Sequence, residues 1–514
     1  MKRLSLSILS AIAIVVSARS EESVSPDSAL VLSSFATSRF FPQSFDSPSG
    51  TNYRLPYSLN TLNVGFTSDR RNLSSPGPTG NGAAALGIEA DAYVKHRGAT
   101  LYGSASYRNG TIRDVRWNET ADLVFVYPYI TADAIGGNMR METYSFGGGY
   151  AGVNNRAEWG ASASYTAGLY YRNVDPRPKN LSGILRIAAG GGIKLDKDYS
   201  ISLSAEYMRY TQSSDIRFFS ETGETKIYHA TGLGTHYVRF AGTGKSSHYS
   251  GNAFIGSLSL TPGFSRGFVA TVGGSIYSFS KIIDDLNRLP LAKASERSLF
   301  VEAGWRSADC MQDYGGGNAW AFKGTALLTH RTGHENVFGD ASSGIYPQTG
   351  SEERFHANLS RFGVSLLWQS PLRMSRSFSV EAEGGYNRQH QNHRDPVRYF
   401  TVNSLYGRLK AMASFSIPLN IHASFMVCGT IHNPLKSDIY LEKKRQDDAR
   451  GLTSDFTESF RRMASNSGTA DLTMRLSKSV SKRIALYVDA RFGMQFIKGN
   501  SPGKGWSAAI GAAF

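Results

Sequence analysis

Residues 419 to 432 read LNIHASFMVCGTIH, and their spacing decides the fold. In an extended chain Ile421, Ala423, Phe425, Val427, Gly429 and Ile431 share one face, and His422, Ser424, Met426, Cys428, Thr430 and His432 share the other. The alternation runs for about 14 residues, longer than the roughly five or six common in soluble sandwiches and long enough to cross a bilayer as a tilted strand.

The preceding segment repeats the pattern, with Leu405, Leu409, Ala411, Ala413, Phe415 and Ile417 against Tyr406, Arg408, Lys410, Ser414 and Ser416. So does the one near the end, with Ile484, Leu486, Val488, Ala490, Phe492, Met494 and Phe496 against Tyr487, Asp489, Arg491 and Gln495. The same test applied throughout predicts strands at 59–69, 84–96, 99–109, 142–153, 157–171, 181–194, 199–215, 247–261 and 267–280. Further strands are expected at 296–308, 318–331, 355–370, 376–391, 403–417, 419–432, 466–479, 482–497 and 504–514, giving 18 in all.

Short links such as Arg97-Gly98, Asn154 to Arg156, Leu195 to Asp198 and Val480-Ser481 alternate with long ones such as 110–141, 216–246 and 433–465. Short turns on one side, long loops on the other and an even strand number belong together in bacterial barrels. The predicted fold class is therefore all-β: a single transmembrane antiparallel up-and-down β-barrel over residues 59–514, with both termini periplasmic. Sixteen strands is the alternative count, because the first strand has few apolar residues and the link Ser307 to Gly317 is long for a periplasmic turn.

Composition agrees. The sequence has 53 Gly and 26 Tyr, and no stretch approaches the roughly 18 consecutive apolar residues of a membrane helix. The formal net charge is +15, but no recognised nucleic-acid motif accompanies it, so anionic lipid head groups or an anionic solute are the expected contacts. Cys310 and Cys428 lie far apart and are expected as free thiols.

Lys2 and Arg3, the apolar run Leu4 to Val16 and the small residues Ser17 and Ala18 read as a signal peptide over 1–20, cleaved after Ala18 or Ser20. Residues 21–58 then form a periplasmic or lumenal segment. The chain ends GWSAAIGAAF, with Trp506, Ala508, Ile510, Ala512 and Phe514 on one face. A terminal aromatic on an alternating last strand resembles the signal read by the barrel assembly machinery, which makes Phe514 the expected assembly signal and that machinery an expected partner.

Trp117, Asn118, Glu119, Asp122, Pro128-Tyr129, Asp133, Gly136-Gly137, Glu142 and the run Tyr144 to Tyr150, YSFGGGY, resemble an uncharacterised family of Bacteroidota outer-membrane barrels with a porin-like layout. The resemblance implies location in the bacterial outer membrane and no catalytic mechanism. TonB-dependent transporters resemble the chain less, since their about 22 strands follow a plug domain, and only 19 or 21 to 58 precede the first strand here.

The loop Gly110 to Met141 joins Trp117, Glu119, Asp122, Tyr127, Tyr129 and Asp133 to apolar Val124, Phe125, Val126 and Ile130. One reading folds it into the barrel as a constriction, its carboxylates facing the pore; the other packs it as a cap over neighbouring loops. Inward faces are expected to carry Arg186, Glu206, Glu302, Arg306, Glu381, Glu383, Arg408, Lys410, Asp471, Arg475, Asp489 and Arg491. Most should form cross-strand pairs, such as Asp471 with Arg491, and the rest could set selectivity.

His229 with His236, His330 with His334, and His390 with His393 lack a ligand cluster at metal spacing, so no metal or cofactor is expected. Asp284-Asp285 and Asn392 to Asp395 supply residue types used by barrel hydrolases, without a paired nucleophile and base. The expected function is a channel or the barrel of a nutrient-uptake system. The alternative is a plugged surface-binding or structural barrel that partners another outer-membrane transporter. Expected partners are the outer membrane with its lipopolysaccharide, and a surface lipoprotein or TonB-dependent transporter. An epitope inserted at Asp447-Asp448 should be labelled on intact cells and one at Val480-Ser481 should not; reversed labelling overturns the inside-out assignment.

Overall fold

A computed structural model describes residues 24–35, 37–73, 77–195, 198–220, 224–242, 245–286, 289–307, 317–442 and 449–514. The signal peptide, Cys310, most of the link Ser307 to Gly317 and the Asp447-Asp448 site lie outside them.

Eighteen antiparallel strands close into one barrel. In chain order the first half is β1 Leu59–Arg70, β2 Ala83–His96, β3 Ala99–Val115, β5 Gly137–Val153, β6 Ala157–Tyr171, β7 Arg177–Lys194, β8 Ser200–Arg217, β11 Ser246–Thr261 and β12 Gly267–Ile283. The second half is β13 Pro290–Arg306, β14 Ala319–Phe338, β15 Gln348–Gln369, β16 Arg376–His393, β17 Arg398–Ile417, β18 Ile421–Leu441, β19 Ser467–Ser481, β20 Ile484–Ile497 and β21 Gly503–Ala513. Three short strands stand apart from the wall: β4 Thr131–Asp133, β9 Ile227–Gly232 and β10 Thr235–His236. Closure is made by β1 against β21, in register from Thr61 with Ala513 to Arg70 with Lys504. The last residue extends that seam, the Phe514 N–H donating to the Asn60 carbonyl at 2.9 Å.

The strands outrun the sequence prediction on the loop side: β13 begins at Pro290, β14 ends at Phe338 and β18 ends at Leu441. Beyond the apolar band both faces of a strand are polar, so the period-2 signal stops while the hydrogen-bonded ladder continues.

The outward face is apolar on every side, with Val272, Leu328, Leu409, Val427, Leu486 and Ile510 among its exposed side chains. So much exposed apolar surface suits a barrel surrounded by hydrocarbon. Val427→Arg should therefore cost about 2 to 4 kcal/mol. Cys428→Ser, one residue away on the inward face, should cost little, both read from urea unfolding of the refolded barrel in vesicles.

Candidate functional site

Two sets of residues from the chain itself fill the lumen, one at the end with the short turns and one at the end with the long loops. At the turn end the segment before β1 runs inside the barrel. Its helix α1 (Pro26–Ser34) starts at Ser25, whose hydroxyl accepts from the Ser28 N–H at 3.3 Å, with Pro26 in the first turn. Ala29, Leu30, Val31 and Leu32 are all buried, so the helix is covered around most of its circumference. Val31, Leu32 and Phe35 pack with Met412, Leu372 and Ala319, while Leu30 packs with Tyr487 and Ala513.

Polar anchors hold this plug. Asp27 reaches His422 Nε2 at 3.1 Å and accepts from the Ser477 hydroxyl. Past the short helix α2 (Pro42–Phe45), Tyr93 donates to the Thr51 carbonyl at 2.9 Å and Thr100 donates to Asn52 Oδ1 at 2.6 Å. Glu302 accepts from the Gln43 N–H at 3.2 Å and pairs with Lys323 at 3.0 Å, and Lys323 also donates to the Phe40 carbonyl. Arg306 lies 5.1 Å from the ring centre of Phe45. Gly160 on the wall permits the approach: a Cβ there would stand 2.2 Å from the Pro48 carbonyl oxygen.

At the loop end the segment between β3 and β5 turns into the mouth. It carries the short helix α3 (Leu123–Val126) and β4, which pairs with β9 from a different loop; β9 pairs in turn with β10. Val126, Tyr129 and Ile130 are buried against Met208, Tyr210, Tyr249, Tyr277 and Phe279 of β8, β11 and β12. Phe125 stacks on Tyr210 at 5.0 Å between ring centres, whereas Val124 is 77% exposed.

Backbone carbonyls of this cap are held by wall cations. Lys281, fully buried, donates to the Ile130 carbonyl at 2.9 Å, and Arg331 donates to the Tyr127 carbonyl at 2.7 Å while pairing with Glu296. A further helix, α4 (Arg450–Met463), lies over the cap, its Asp455 accepting from the Trp117 indole N–H at 2.7 Å. Arg398 ties α4 to the β9–β10 turn, donating to the Gly234 carbonyl at 2.9 Å and to Thr453 Oγ1 at 3.0 Å.

Glu119 and Asp133 do not face open lumen. Both are buried and share the Arg172 guanidinium, at 2.7 Å and 2.9 Å. Asp133 also accepts from the Ile135 and Gly136 N–H groups at 2.7 Å and 2.8 Å. Burial pushes the Asp122 carboxyl above its usual range. Tyr127 donates to Gln391 Oε1 at 2.8 Å, and burial raises its phenol to about 12.

Between plug and cap the inward charges are paired across strands. Arg475 makes a two-pronged bond to Asp489 at 2.6 Å and 2.7 Å, and Asp471 lies 2.7 Å from Arg491. Glu381 faces Lys410 at 3.5 Å, and Arg186 pairs with Glu206. Arg408 reaches the free thiol Cys428 at 3.5 Å, while Glu383 sits beside Tyr406. A cavity of about 310 Å³ opens at the loop end between the β10 segment and the tips of β14 to β17, with Glu335, Arg354, His393 and Arg398 in its lining. There His393 Nε2 meets Glu335 at 2.8 Å and its Nδ1 meets the Pro396 carbonyl at 3.2 Å.

Residues 48–514 match the model of a family of unknown function, DUF6850. The chain belongs to that family. No curated protein matches it. Among solved structures it is similar to the ferric preacinetobactin receptor BauA of Acinetobacter baumannii, at 8% identity and a TM-score of 0.37, over 89% of this chain and 80% of that one. It is also similar to a Pseudomonas aeruginosa FadL homologue, at 11% identity and a TM-score of 0.36, over 97% of this chain and 99% of that one. A third is the ferric-catecholate import receptor Fiu of E. coli K12, at 6% identity and a TM-score of 0.38, over 89% and 82%. Likeness at this level carries no function across.

Sequence reading missed Arg172, Lys281, Arg331, Arg398 and Asp455, because each holds an irregular loop or cap segment whose position no strand periodicity sets. Arg172→Met should leave two carboxylates buried without their shared cation, loosening the cap by roughly 3 to 5 kcal/mol. Hydrogen exchange over 116–136 should then quicken, and Glu119→Gln in the same chain should reverse part of it.

Proposed function

We propose that this chain is an outer-membrane barrel of the nutrient-uptake class that is closed at rest, with its long loops outside and its termini periplasmic. The observation that carries the reading is the doubly filled lumen: residues 24–35 and 37–58 occupy one end, and the 116–136 segment, β9, β10 and α4 occupy the other. A barrel of about 18 strands would otherwise enclose an aqueous channel. Both fillings are covalently part of the chain and anchored by buried polar contacts, so passage requires them to move. The pocket beside Glu335 and His393 is the place from which a small polar solute would be taken. Apolar outward residues fit outer-membrane location, and contact with lipopolysaccharide, the barrel assembly machinery, and a surface lipoprotein or TonB-dependent transporter belongs to the same reading.

A second reading, a static plugged barrel that binds partners at the surface, is favoured by the continuous packing of α1 against the wall. In planar bilayers the intact chain should show no steady conductance, and a variant lacking 26–47 and 118–134 should conduct. Steady conductance by the intact chain would sink the closed barrel. Ser44 Oγ and Thr271 Oγ1 stand 2.6 Å apart, so Ser44→Cys with Thr271→Cys can tether the plug. In a strain whose growth depends on this barrel, oxidation should stop growth and reduction restore it; growth unaffected by the tether supports the static barrel.

A further inference from the structure

The outward face of β13 to β16, just beyond the apolar band, carries an unusual row. Directly paired residues of antiparallel strands share a face. Arg297 pairs with His330, His330 with Asn358 and Asn358 with His390, so these four lie side by side across the wall. Leu299, Leu328 and Phe362 lie toward the middle of the barrel on the same outward face and are exposed. Arg388 joins the row from the position directly opposite Ser360.

The row is cationic and short of counter-charge. Among the described residues neither Arg297 nor Arg388 makes an ion pair, and both are exposed. Glu353, the carboxylate above the row, is shared by His356 at 3.2 Å, His334 at 3.6 Å and Arg394 at 3.5 Å. On another sector of the barrel the outward Lys179 is opposite Asp215, which Arg217 meets at 2.9 Å, so the charges there are mixed.

Arg297 is two residues from Leu299, a rise of about 6.6 Å. With the apolar band placed in hydrocarbon as in the proposed function, the row falls at the head-group boundary, where a cation is poorly solvated by lipid tails and strongly attracted by phosphate. Both imidazoles are held in the row by polar neighbours, His330 Nδ1 meeting Asn358 at 2.6 Å and His390 Nδ1 meeting Thr401 at 2.8 Å. We propose that this face is a docking surface for the phosphate groups of a lipopolysaccharide-type glycolipid, a phosphorylated and acylated sugar, whose chains lie on the apolar band below. Location in the outer membrane is taken from the proposed function; binding in detergent tests the surface whether or not the barrel transports anything.

The test uses the full chain purified in detergent, a defined phosphorylated lipid A, its dephosphorylated form, and native mass spectrometry of the bound fraction. Arg297→Gln, His330→Gln and Arg388→Gln together should weaken binding about tenfold, and dephosphorylation of the lipid should weaken binding to the unaltered chain as much. Lys179→Gln with Arg217→Gln should leave binding unchanged, and millimolar inorganic phosphate should fail to displace the lipid. Should the triple variant misfold, the unaltered chain with the two lipids and the charge-preserving pair Arg297→Lys and Arg388→Lys, expected to retain binding, decide the matter. Equal binding of the two lipids, undiminished binding by a folded triple variant, equal loss in the control variant or displacement by free phosphate overturns the proposal.

Discussion

Backbone hydrogen bonding in a medium without water is the constraint on which the rest of this structure depends. A strand crossing hydrocarbon has no solvent to satisfy its N–H and C=O groups, so the sheet must have no edge. The β1–β21 seam removes the last edge and brings the two ends of the barrel sequence together, from Thr61 with Ala513 onward. Once closed, the wall has one face for lipid and one for the lumen, and the period of two in LNIHASFMVCGTIH follows from that division.

Closure creates a second problem inside. A wall lined by Glu302, Arg306, Lys323 and Lys281 cannot be covered by apolar residues alone, because each buried charge needs a partner. The chain answers with its own polar backbone: the carbonyls of Phe40 and Ile130 accept from Lys323 and Lys281. The aromatic residues between those contacts, Phe41 and Phe45 below and Tyr129 and Tyr249 above, exclude water and keep the contacts dry. Plug and cap are thus held by the same device, a wall cation on an irregular segment's carbonyl. They differ from the wall in kind, since the wall's ladder bonds cannot be released without exposing an edge, whereas plug and cap are joined to it by side-chain contacts.

The alternation of apolar residues in β17, β18 and β20 determined the fold class, the strand order and which side chains face inward, because a strand's geometry ties facing to position in sequence. Asp471 and Arg491 could be paired from the sequence, since they lie on one face of a single hairpin; in the ladder they stand diagonally, Asp471 opposite Gly493 and Arg491 opposite Thr473. The apolar residues in 110–141 marked that loop as unusual for the same local reason. Only the tertiary structure decided what these residues meet. Glu119 and Asp133 converge on Arg172, Trp117 meets Asp455, and Asp27 meets His422 and Ser477 across almost the whole chain. No periodicity connects such residues: loops and plug follow no repeat, and their partners are set by how irregular segments settle inside the closed wall, in the neighbouring loop for Arg172 and across the barrel for Asp455 and Asp27.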